Sequence, residues 1–222
     1  MSLIHLKNIK KSYDLWWETL NILKWIDLDI EEWEFLSVMW SSWSWKSTLM
    51  NIMWMLDIPT SWEYIFDWKD VSNLNDDKQA MIRRKNIWFI FQNYNLLKKT
   101  SAIEQVMIPL MYQEVPYKQR YERALEALKK VWLENQINKL PSEMSGWQQQ
   151  RVAIARAIVT NPSLILWDEP TWALDSKTWE EVMQIIKSLN DEWKTIVIIT
   201  HSPEVNAYAK RFVHIKDWLL IK

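Results

Sequence analysis

The chain has 222 residues and a formal net charge of −1, enough length for one domain with a large core and no basic excess of the kind that marks nucleic-acid binding. It has no cysteine, which excludes a disulfide framework and a thiolate metal site. No signal pattern opens it, and no apolar run approaches the roughly 18 residues that a membrane-spanning helix needs. We expect a soluble protein that reaches a membrane only by docking to a partner.

The first third of the chain predicts strands and turns followed by a helix. Residues 3–9 and 22–39 have strand and turn patterns, and aliphatic residues alternate with aspartate over residues 26–30, as in a half-buried strand. A short apolar run at residues 35–39 leads directly into a loop. A helix is predicted after that loop, over residues 46–56, so the order is strand, loop, helix.

The middle of the chain changes from strands to helices. A further strand is predicted over residues 63–66, a short helix over residues 76–84, and a strand over residues 87–91 that ends at Gln92. From residue 95 to residue 143, apolar side chains recur at helical spacing. We interpret this stretch as a mostly helical insertion.

The last third predicts a parallel sheet. Continuous aliphatic runs at residues 163–166 and 195–199 are typical of parallel strands that are buried on both faces. A helix over residues 177–189 lies between them and gives a βαβ unit, and another helix over residues 148–159 precedes it. Residues 212–221 predict a terminal hairpin.

The loop before the first helix has the spacing of a phosphate-binding loop but not its residues. It reads Trp40-Ser41-Ser42-Trp43-Ser44-Trp45-Lys46-Ser47-Thr48, which fits G-x-x-x-x-G-K-[ST] only if its tryptophans are read as glycine. Such a loop wraps phosphates with backbone N–H groups, so its backbone must approach the ligand closely and visit positive φ. An indole would fill the space that the phosphates need. Either the loop is ruined, or these tryptophans are not tryptophan in the native protein.

The composition favours the second possibility. The chain has 18 Trp and 1 Gly, whereas about 7% glycine would give roughly 16. Several tryptophans stand where turns favour glycine: Trp33, Trp62, Trp68, Trp193 and Trp218. We hypothesise that the gene comes from an organism that reads UGA as glycine and was translated with UGA as tryptophan. Deliberate replacement of glycine by tryptophan is the alternative.

Two carboxylates follow the apolar run at residues 163–166. Asp168 and Glu169 stand at the end of a predicted buried strand, and ligands gather at the carboxyl ends of strands in α/β sheets. Asp168 is a candidate Mg²⁺ ligand together with Ser47, and Glu169 is a candidate general base that orients and polarises the attacking water. A charged turn after a core strand is the alternative.

A third motif opens a helix. Met144-Ser145-Gly146-Trp147-Gln148-Gln149-Gln150-Arg151 reads S-G-G-Q if Trp147 is glycine, which is a second anion site at a helix N-terminus. The block Trp167-Asp168-Glu169-Pro170-Thr171-Trp172-Ala173-Leu174-Asp175 follows it. On these motifs and the phosphate loop, the sequence resembles the ATP-binding-cassette (ABC) ATPases over essentially its whole length.

The resemblance implies a role for each matching residue. The catalytic residues would be Lys46, Gln92, Glu169 and His201, and the metal ligands Ser47, Gln92 and Asp168. The nucleotide would be bound by Tyr13, Trp40, Ser41, Ser42, Trp43, Ser44, Trp45, Lys46, Ser47, Thr48, Gln92, Ser145, Gly146, Trp147, Gln148 and Asp175. Tyr13 would stack on adenine and His201 would contact the γ-phosphate, although a plain strand-end aromatic and a surface histidine are the simple alternatives. Ser145 and Gly146 would act on the nucleotide of a second copy.

The resemblance also implies a fold, cofactors and partners. The fold would be an α/β P-loop NTPase fold of the ABC ATPase type, a single domain over residues 1–222, with a mixed sheet core, an antiparallel β part and an inserted α-helical subdomain. Residues 1–94 and 146–222 would form the core, and residues 95–145 the insertion. ATP and Mg²⁺ would be its cofactors. Its partners would be a second copy, forming a homodimer around two ATP, and an integral-membrane permease, but no nucleic acid. It would be cytoplasmic and peripheral on the inner face of the cell membrane.

Within the family, the sequence is similar to the lipoprotein-releasing and macrolide-export ATPases and the related cell-division ATPase. Phe91-Gln92-Asn93-Tyr94-Asn95-Leu96-Leu97 carries part of this likeness. Tyr94, Leu96 and Leu97 are candidates for a groove that receives the permease, with buried core as the alternative. Two other functions stay open: a non-transport ABC ATPase in cell division, DNA repair or translation, and an inactive protein if the tryptophans are literal.

Overall fold

The described part of the chain forms one mixed sheet flanked by helices. The structure is a computed structural model that describes residues 1–40, 46–170, 176–216 and 219–221. The strands are β1 (Ser2–Asp14), β2 (Thr19–Glu31), β3 (Phe35–Trp40), β4 (Ser61–Phe66), β5 (Lys69–Asp70), β6 (Ile87–Ile90), β7 (Leu164–Asp168), β8 (Thr195–Thr200), β9 (Arg211–Lys216) and β10 (Leu219–Ile221). The helices are α1 (Lys46–Met53), α2 (Asp76–Asn86), α3 (Ala102–Tyr112), α4 (Tyr117–Lys130), α5 (Gly146–Ile158), α6 (Ser176–Asp191) and α7 (Pro203–Asn206).

The sheet has a parallel part and an antiparallel part. Its strand order is β5-β4-β1-β2-β10-β9-β3-β8-β7-β6. The strands from β9 to β6 pair in parallel, whereas those from β5 to β2 pair antiparallel. β10 joins the two parts, because it runs antiparallel to β9 and parallel to β2. The predicted mixed sheet with an antiparallel part is confirmed, as is the terminal hairpin.

Side chains of the parallel strands alternate between two apolar cores. On β7, Leu164 and Leu166 pack into the core that contains α1, whereas Ile165 and Trp167 pack into the core that contains α3, α4, α5 and α6. Because helices cover both faces, these strands are apolar throughout. β7 and β8 pair in parallel with α6 between them in the chain, which confirms the predicted βαβ unit.

Several helix ends differ from the prediction by one to three residues, among them those of α1 and α2. α1 ends at Met53 rather than at residue 56, since Met55 has φ 56° and the N–H of Leu56 bonds back to the Asn51 carbonyl. α2 continues to residue 86, two residues beyond the prediction. Asn75 caps its start, because the Asn75 Oδ1 accepts a hydrogen bond of 3.1 Å from the Lys78 N–H.

The stretch between β6 and α5 is mostly helical. It contains α3 and α4, followed by two short 3₁₀ turns at Glu134–Gln136 and Pro141–Glu143. α3 packs against α4, and both pack against α5. Within the described ranges, no helix has the length and apolar character that crossing a membrane requires.

Among the residues that the structure describes, four tryptophans have a left-handed backbone. The φ angles are 63° at Trp33, 63° at Trp68, 58° at Trp132 and 66° at Trp193. The left-handed region brings Cβ too close to the following carbonyl, at about 1–2 kcal/mol for a residue other than glycine. Glycine would adopt the same φ without that penalty.

Two of these tryptophans end helices in the position that glycine normally occupies. After α4, the N–H of Trp132 bonds to the Lys129 carbonyl and the N–H of Leu133 bonds to the Leu128 carbonyl, both at 2.9 Å. α6 ends with the same pair of bonds, in which the N–H of Trp193 reaches the Asn190 carbonyl at 3.0 Å. This arrangement is the Schellman motif, whose left-handed residue is usually glycine.

Trp68 lies in a two-residue hairpin turn. Asp67 and Trp68 have φ angles of 47° and 63°, and the flanking Phe66 and Lys69 are paired across β4 and β5. Two successive left-handed residues form a type I′ turn, for which Asp-Gly is a preferred sequence. The chain has aspartate at the first position and tryptophan where glycine is expected.

Candidate active site

Three charged side chains meet at the carboxyl ends of β3 and β7. Lys46 is the first residue of α1 and is 4% exposed, while Asp168 ends β7 and Glu169 follows it at 3% exposed. The Lys46 ammonium forms an ion pair with Asp168 Oδ1 and lies 3.8 Å from Glu169 Oε1. The structure therefore brings together the lysine and both carboxylates that the sequence singled out.

The pKa of the Asp168 carboxyl group is set by opposing effects. Burial raises the pKa of its carboxyl group, the hydrogen bond and charge of Lys46 lower it, and the charge of Glu169 raises it, with a net rise above the ordinary value. Two adjacent carboxylates in a half-buried site repel each other, and a cation between them offsets that repulsion. Lys46 supplies that cation.

Glu169 is fixed from three sides. Its backbone has φ 47°, and its N–H donates to the Ile199 carbonyl at 3.0 Å. Its Oε2 accepts a hydrogen bond of 3.1 Å from Thr200 Oγ1, and its Oε1 contacts His201 Nδ1. A strained backbone held by surrounding contacts is typical of functional positions. The His201 ring is more than half exposed, so part of it stays open to a ligand.

The structure adds two residues that sequence reasoning missed. Thr200 is fully buried and bonds to Glu169, and Gln150 is 2% exposed and donates from Nε2 to the Pro170 carbonyl at 2.7 Å. A hydroxyl at the end of an aliphatic strand was a signal that could have identified Thr200. No spacing marks Gln150, because its contact depends on α5 passing beside residue 170.

Oxygen donors for a metal lie along the same edge. β6 pairs with β7, so Gln92, which is half-buried two residues after β6, is at the same end of the sheet as Asp168. Ser47 is the exposed second residue of α1. Carboxylate, amide and hydroxyl oxygens suit Mg²⁺. Among the described residues, no three histidine or acidic side chains converge on a metal site.

Tyr13 lies near the end of β1, beside the helix that begins with Lys46. Its ring is 41% exposed. Burial and a hydrogen bond to Asp57 raise the pKa of its hydroxyl, while a hydrogen bond with the Thr48 side chain on α1 lowers it, with a net rise. The aromatic ring is therefore placed next to the predicted phosphate site, with its surface partly open.

Ser145 and Gly146 lie at the exposed start of α5, on the helical part of the fold. The Ser145 side chain accepts from the Gln148 N–H at 3.4 Å, and Gln148 Oε1 accepts from the Ser145 N–H at 3.0 Å. This reciprocal pair is a capping box. Trp147 is half-buried, with the Arg151 guanidinium 4.5 Å from its ring centroid. An exposed position is what a contact with the nucleotide of a second copy requires.

Part of the predicted site lies outside the described residues. This applies to Ser41, Ser42, Trp43, Ser44, Trp45 and Asp175. The structure describes the backbone of Trp40 as the last residue of β3, and α1 begins at Lys46. The strand and the helix that flank a phosphate-binding loop are thus both found.

Known proteins are similar in sequence to this chain over nearly its full length. Residues 23–172 match the family model described as ABC transporter. The chain is 47% identical over 215 residues to the ABC transporter ATP-binding protein YknY of Bacillus subtilis, covering 97% of this chain and 94% of YknY. It is 41% identical over 218 residues to the macrolide export ATP-binding/permease protein MacB of Bdellovibrio bacteriovorus, covering 98% of this chain and 33% of MacB.

Two solved structures share the fold. Both are dimeric structures of MJ0796, an ABC transporter cassette of Methanocaldococcus jannaschii. The first has a TM-score of 0.89 at 44% identity and covers 99% of this chain and 97% of that one. The second, a post-hydrolysis state bound to ADP and Pi, has a TM-score of 0.89 at 43% identity, with the same coverage of both chains.

Proposed function

Because the chain belongs to the ABC transporter family as an ATP-binding and ATP-hydrolysing cassette, we propose that Lys46, Asp168, Glu169, Thr200 and His201 form its hydrolysis site. The observation that carries this proposal is the contact of one buried ammonium with two carboxylates, one of which is fixed by a hydroxyl and an imidazole. Positioning and charge neutralisation supply most of the barrier reduction in phosphoryl transfer.

Each side chain of this site would have one task. Lys46 would neutralise the β- and γ-phosphates, and Glu169, held by Thr200 and His201, would orient the attacking water and accept its proton. Ser47, Gln92 and Asp168 would hold Mg²⁺, which would neutralise charge on the phosphate oxygens when bound.

A second copy would complete the site. MJ0796 forms dimers in both solved structures, one of them with ADP and Pi. We propose that two copies of this chain close head to tail over two ATP, with Ser145 and Gly146 of each copy facing the nucleotide of the other. Backbone N–H groups at the start of α5 favour such a contact with an anion.

A permease would dock in a groove between the parallel sheet edge and the helical part. The groove has a volume of about 500 Å³, and most of its lining is apolar, with side chains from β6, α3 and the residues just after α1 and β6: Trp54, Ile87, Trp88, Phe89, Phe91, Ile108, Pro109 and Tyr112. Arg83 and Arg84 of α2 and Arg156 of α5 also line it. Of the segment 94–97, Asn95 lines it, whereas Leu97 is exposed and Tyr94 and Leu96 pack partly against the helical core. None of Tyr94, Leu96 and Leu97, the candidates drawn from the sequence, is among the residues that line this groove. An export-type permease is the proposed occupant, by analogy with MacB, and the chain would be peripheral on the inner face of the membrane.

We propose that glycine occupies most of the tryptophan positions in the native protein. The composition, the phosphate-loop spacing and the left-handed backbones at Trp68, Trp132 and Trp193 support this. The intact mass of the protein from its native host tests it. A mass below 27.0 kDa by most or all of the eighteen possible tryptophan-to-glycine differences is expected. A mass that matches the printed sequence would refute the glycine proposal, and we expect such a chain not to bind ATP.

Substitution of the candidate base tests the hydrolysis site. In the chain that carries its native residues, Glu169→Gln should lower phosphate release from MgATP by about a hundredfold or more, because proton acceptance is lost while the shape is kept. Since ATP would then stay bound, size-exclusion chromatography should show an ATP-dependent dimer. Glu180→Gln, an exposed glutamate on α6, is the matched control and should retain turnover. Normal turnover in Glu169→Gln would remove Glu169 from the mechanism.

A further inference from the structure

Three side chains join the end of β1 to the turn after α1. The Tyr13 hydroxyl donates to Asp57 Oδ2 at 2.7 Å, and the Lys11 ammonium donates to Asp57 Oδ1 at 2.5 Å. Lys11 also donates to the Ile58 carbonyl at 2.7 Å, and its ammonium lies 4.9 Å from the centroid of the Tyr13 ring. Both carboxylate oxygens of Asp57 are therefore used, one by a phenol and one by an ammonium.

The backbone of this turn is bonded to both elements. The N–H groups of Leu56 and Asp57 donate to the Asn51 carbonyl on α1, at 2.7 and 3.2 Å. On the other side, the Thr60 N–H donates to the Lys10 carbonyl at 2.7 Å, and Thr60 Oγ1 accepts from the Ser12 N–H at 3.1 Å. The turn thus connects the helix that begins at the phosphate site directly to the strand end that carries Tyr13.

The cluster buries its charges and leaves the ring open. The side chains of Lys11 and Asp57 are 12% and 25% exposed, whereas Tyr13 is 41% exposed. Burial acts to raise the pKa of Asp57, but the hydrogen bonds from Lys11 and Tyr13 hold it below the ordinary value, so the acceptor stays ionised at neutral pH. Lys11 covers one face of the ring, which leaves the opposite face for a flat ligand.

We propose that Asp57, with Lys11, is a positioning residue that holds the Tyr13 ring in the orientation in which it stacks on the nucleotide base. The proposal rests on the proposed ATP site and on Tyr13 as its base-stacking residue. The hydroxyl of the Tyr13 ring is held by a hydrogen bond and one face of the ring is covered by Lys11. The side chain therefore loses little conformational freedom when a nucleotide base binds. Such preorganisation increases affinity without adding a contact to the ligand.

Inorganic triphosphate, which lacks the nucleotide base, distinguishes positioning of the Tyr13 ring from structural support of the phosphate site. In the chain with its native residues, the dissociation constants of ATP and of inorganic triphosphate are measured for wild type and Asp57→Asn. Asp57→Asn should weaken ATP binding about three- to tenfold, the scale of immobilising one side chain on binding, and should leave triphosphate binding unchanged. It should raise KM for ATP with kcat retained. Equal weakening of both ligands would overturn the proposal, because it would show a disturbance of α1 and the phosphate site.

Tyr13 variants provide the second arm. Tyr13→Phe keeps the ring but loses the hydroxyl bonds to Asp57 and Thr48, so it should weaken ATP binding at least as much as Asp57→Asn does, even if Asp57→Asn folds poorly. In a Tyr13→Ala background, Asp57→Asn should have no further effect on ATP affinity, and an undiminished effect there would overturn the proposal. Glu63→Gln, which removes an exposed partner of Lys7 on the neighbouring strand β4, is the matched control and should leave both affinities unchanged.

The same measurements distinguish failure of the proposal from failure of the site. If Tyr13→Ala leaves ATP affinity at the wild-type value, Tyr13 does not contact the base, and both its assigned role and the positioning proposal are wrong. If Tyr13→Ala weakens ATP about tenfold or more, as loss of a stacked base predicts, while Asp57→Asn and Tyr13→Phe have no effect, the base site stands and the positioning role alone is refuted.

Discussion

At the residue scale, the site depends on charges that compensate one another at short range. Lys46, Asp168 and Glu169 are largely withdrawn from water, and each would be unfavourable there without the others. Glu169 gains its direction from Thr200 and His201, which reach it from the end of a neighbouring strand. A general base that is already fixed before substrate binds needs less reorganisation during the reaction.

The left-handed tryptophans give a prediction at the same scale. In a chain produced with tryptophan at every printed position, Trp68→Gly should raise the free energy of unfolding by about 1–2 kcal/mol, because it removes the strain of a bulky residue at φ 63°. Chemical denaturation measures the change.

Trp25→Gly is the matched control for this prediction. Trp25 is a half-exposed tryptophan within β2, in extended backbone, and its Nε1 bonds to Asp27. Glycine there should lower the free energy of unfolding, since glycine weakens a strand interior. A loss of stability in Trp68→Gly as well would show that the left-handed turn tolerates tryptophan.

At the scale of elements, helix ends carry both stability and function. Asn75 caps α2 far from the site, whereas Ser145 caps α5 at the predicted contact with a second nucleotide. The two caps use the same physics, a side-chain oxygen that accepts from an N–H at the helix start. They differ because only the start of α5 is predicted to face a nucleotide.

Removing each cap should separate these roles. Asn75→Ala and Ser145→Ala should each lower the free energy of unfolding by about 1 kcal/mol, as measured by denaturation. Only Ser145→Ala should also lower ATP turnover, because its hydroxyl would face the nucleotide of the second copy. Equal turnover in the two variants would mean that Ser145 acts as a cap alone.

At the scale of the whole molecule, the groove beside α3 places the proposed permease contact close to the catalytic edge. β6 forms part of the groove wall, pairs with β7, and leads to Gln92, while β7 ends at Asp168. A partner that moved this edge would act on residues next to the site. Large apolar side chains from segments distant in sequence meet in this groove, and such an apolar surface is typical of a site that binds a partner.

A charge placed in the groove tests this contact. Tyr112→Arg should reduce the fraction of the protein that sediments with membranes of the native host by about tenfold, since docking would have to desolvate an additional guanidinium next to Arg84, whose Nη1 bonds to the Tyr112 carbonyl. Tyr117→Arg is the control, because Tyr117 is equally exposed, at 66% against 68% for Tyr112, but lies on α4 outside the groove lining. If both variants sediment with membranes to the same extent as wild type, the groove is not the site that binds the permease.

The sequence by itself determined the family, the order of the main elements and four of the five residues that we propose for the hydrolysis site, all but Thr200. Spacing within a short stretch was sufficient there: the lysine after the loop, the Asp-Glu pair after a strand, and the aliphatic runs of β7 and β8 are all local patterns. Helix ends were less well predicted, since α1 stops at Met53 through bonds of Leu56 that periodicity does not reveal.

Only the tertiary structure decided which distant residues support the site. Thr200 lies 31 residues from the Glu169 that it bonds, Gln150 lies 20 residues from Pro170, and Tyr13 lies 44 residues from Asp57. The groove likewise needs α1, β6 and α3 in one place. A local pattern reports burial and helix or strand period, whereas a hydrogen bond between distant segments depends on strand order and helix packing, which no single stretch of sequence encodes.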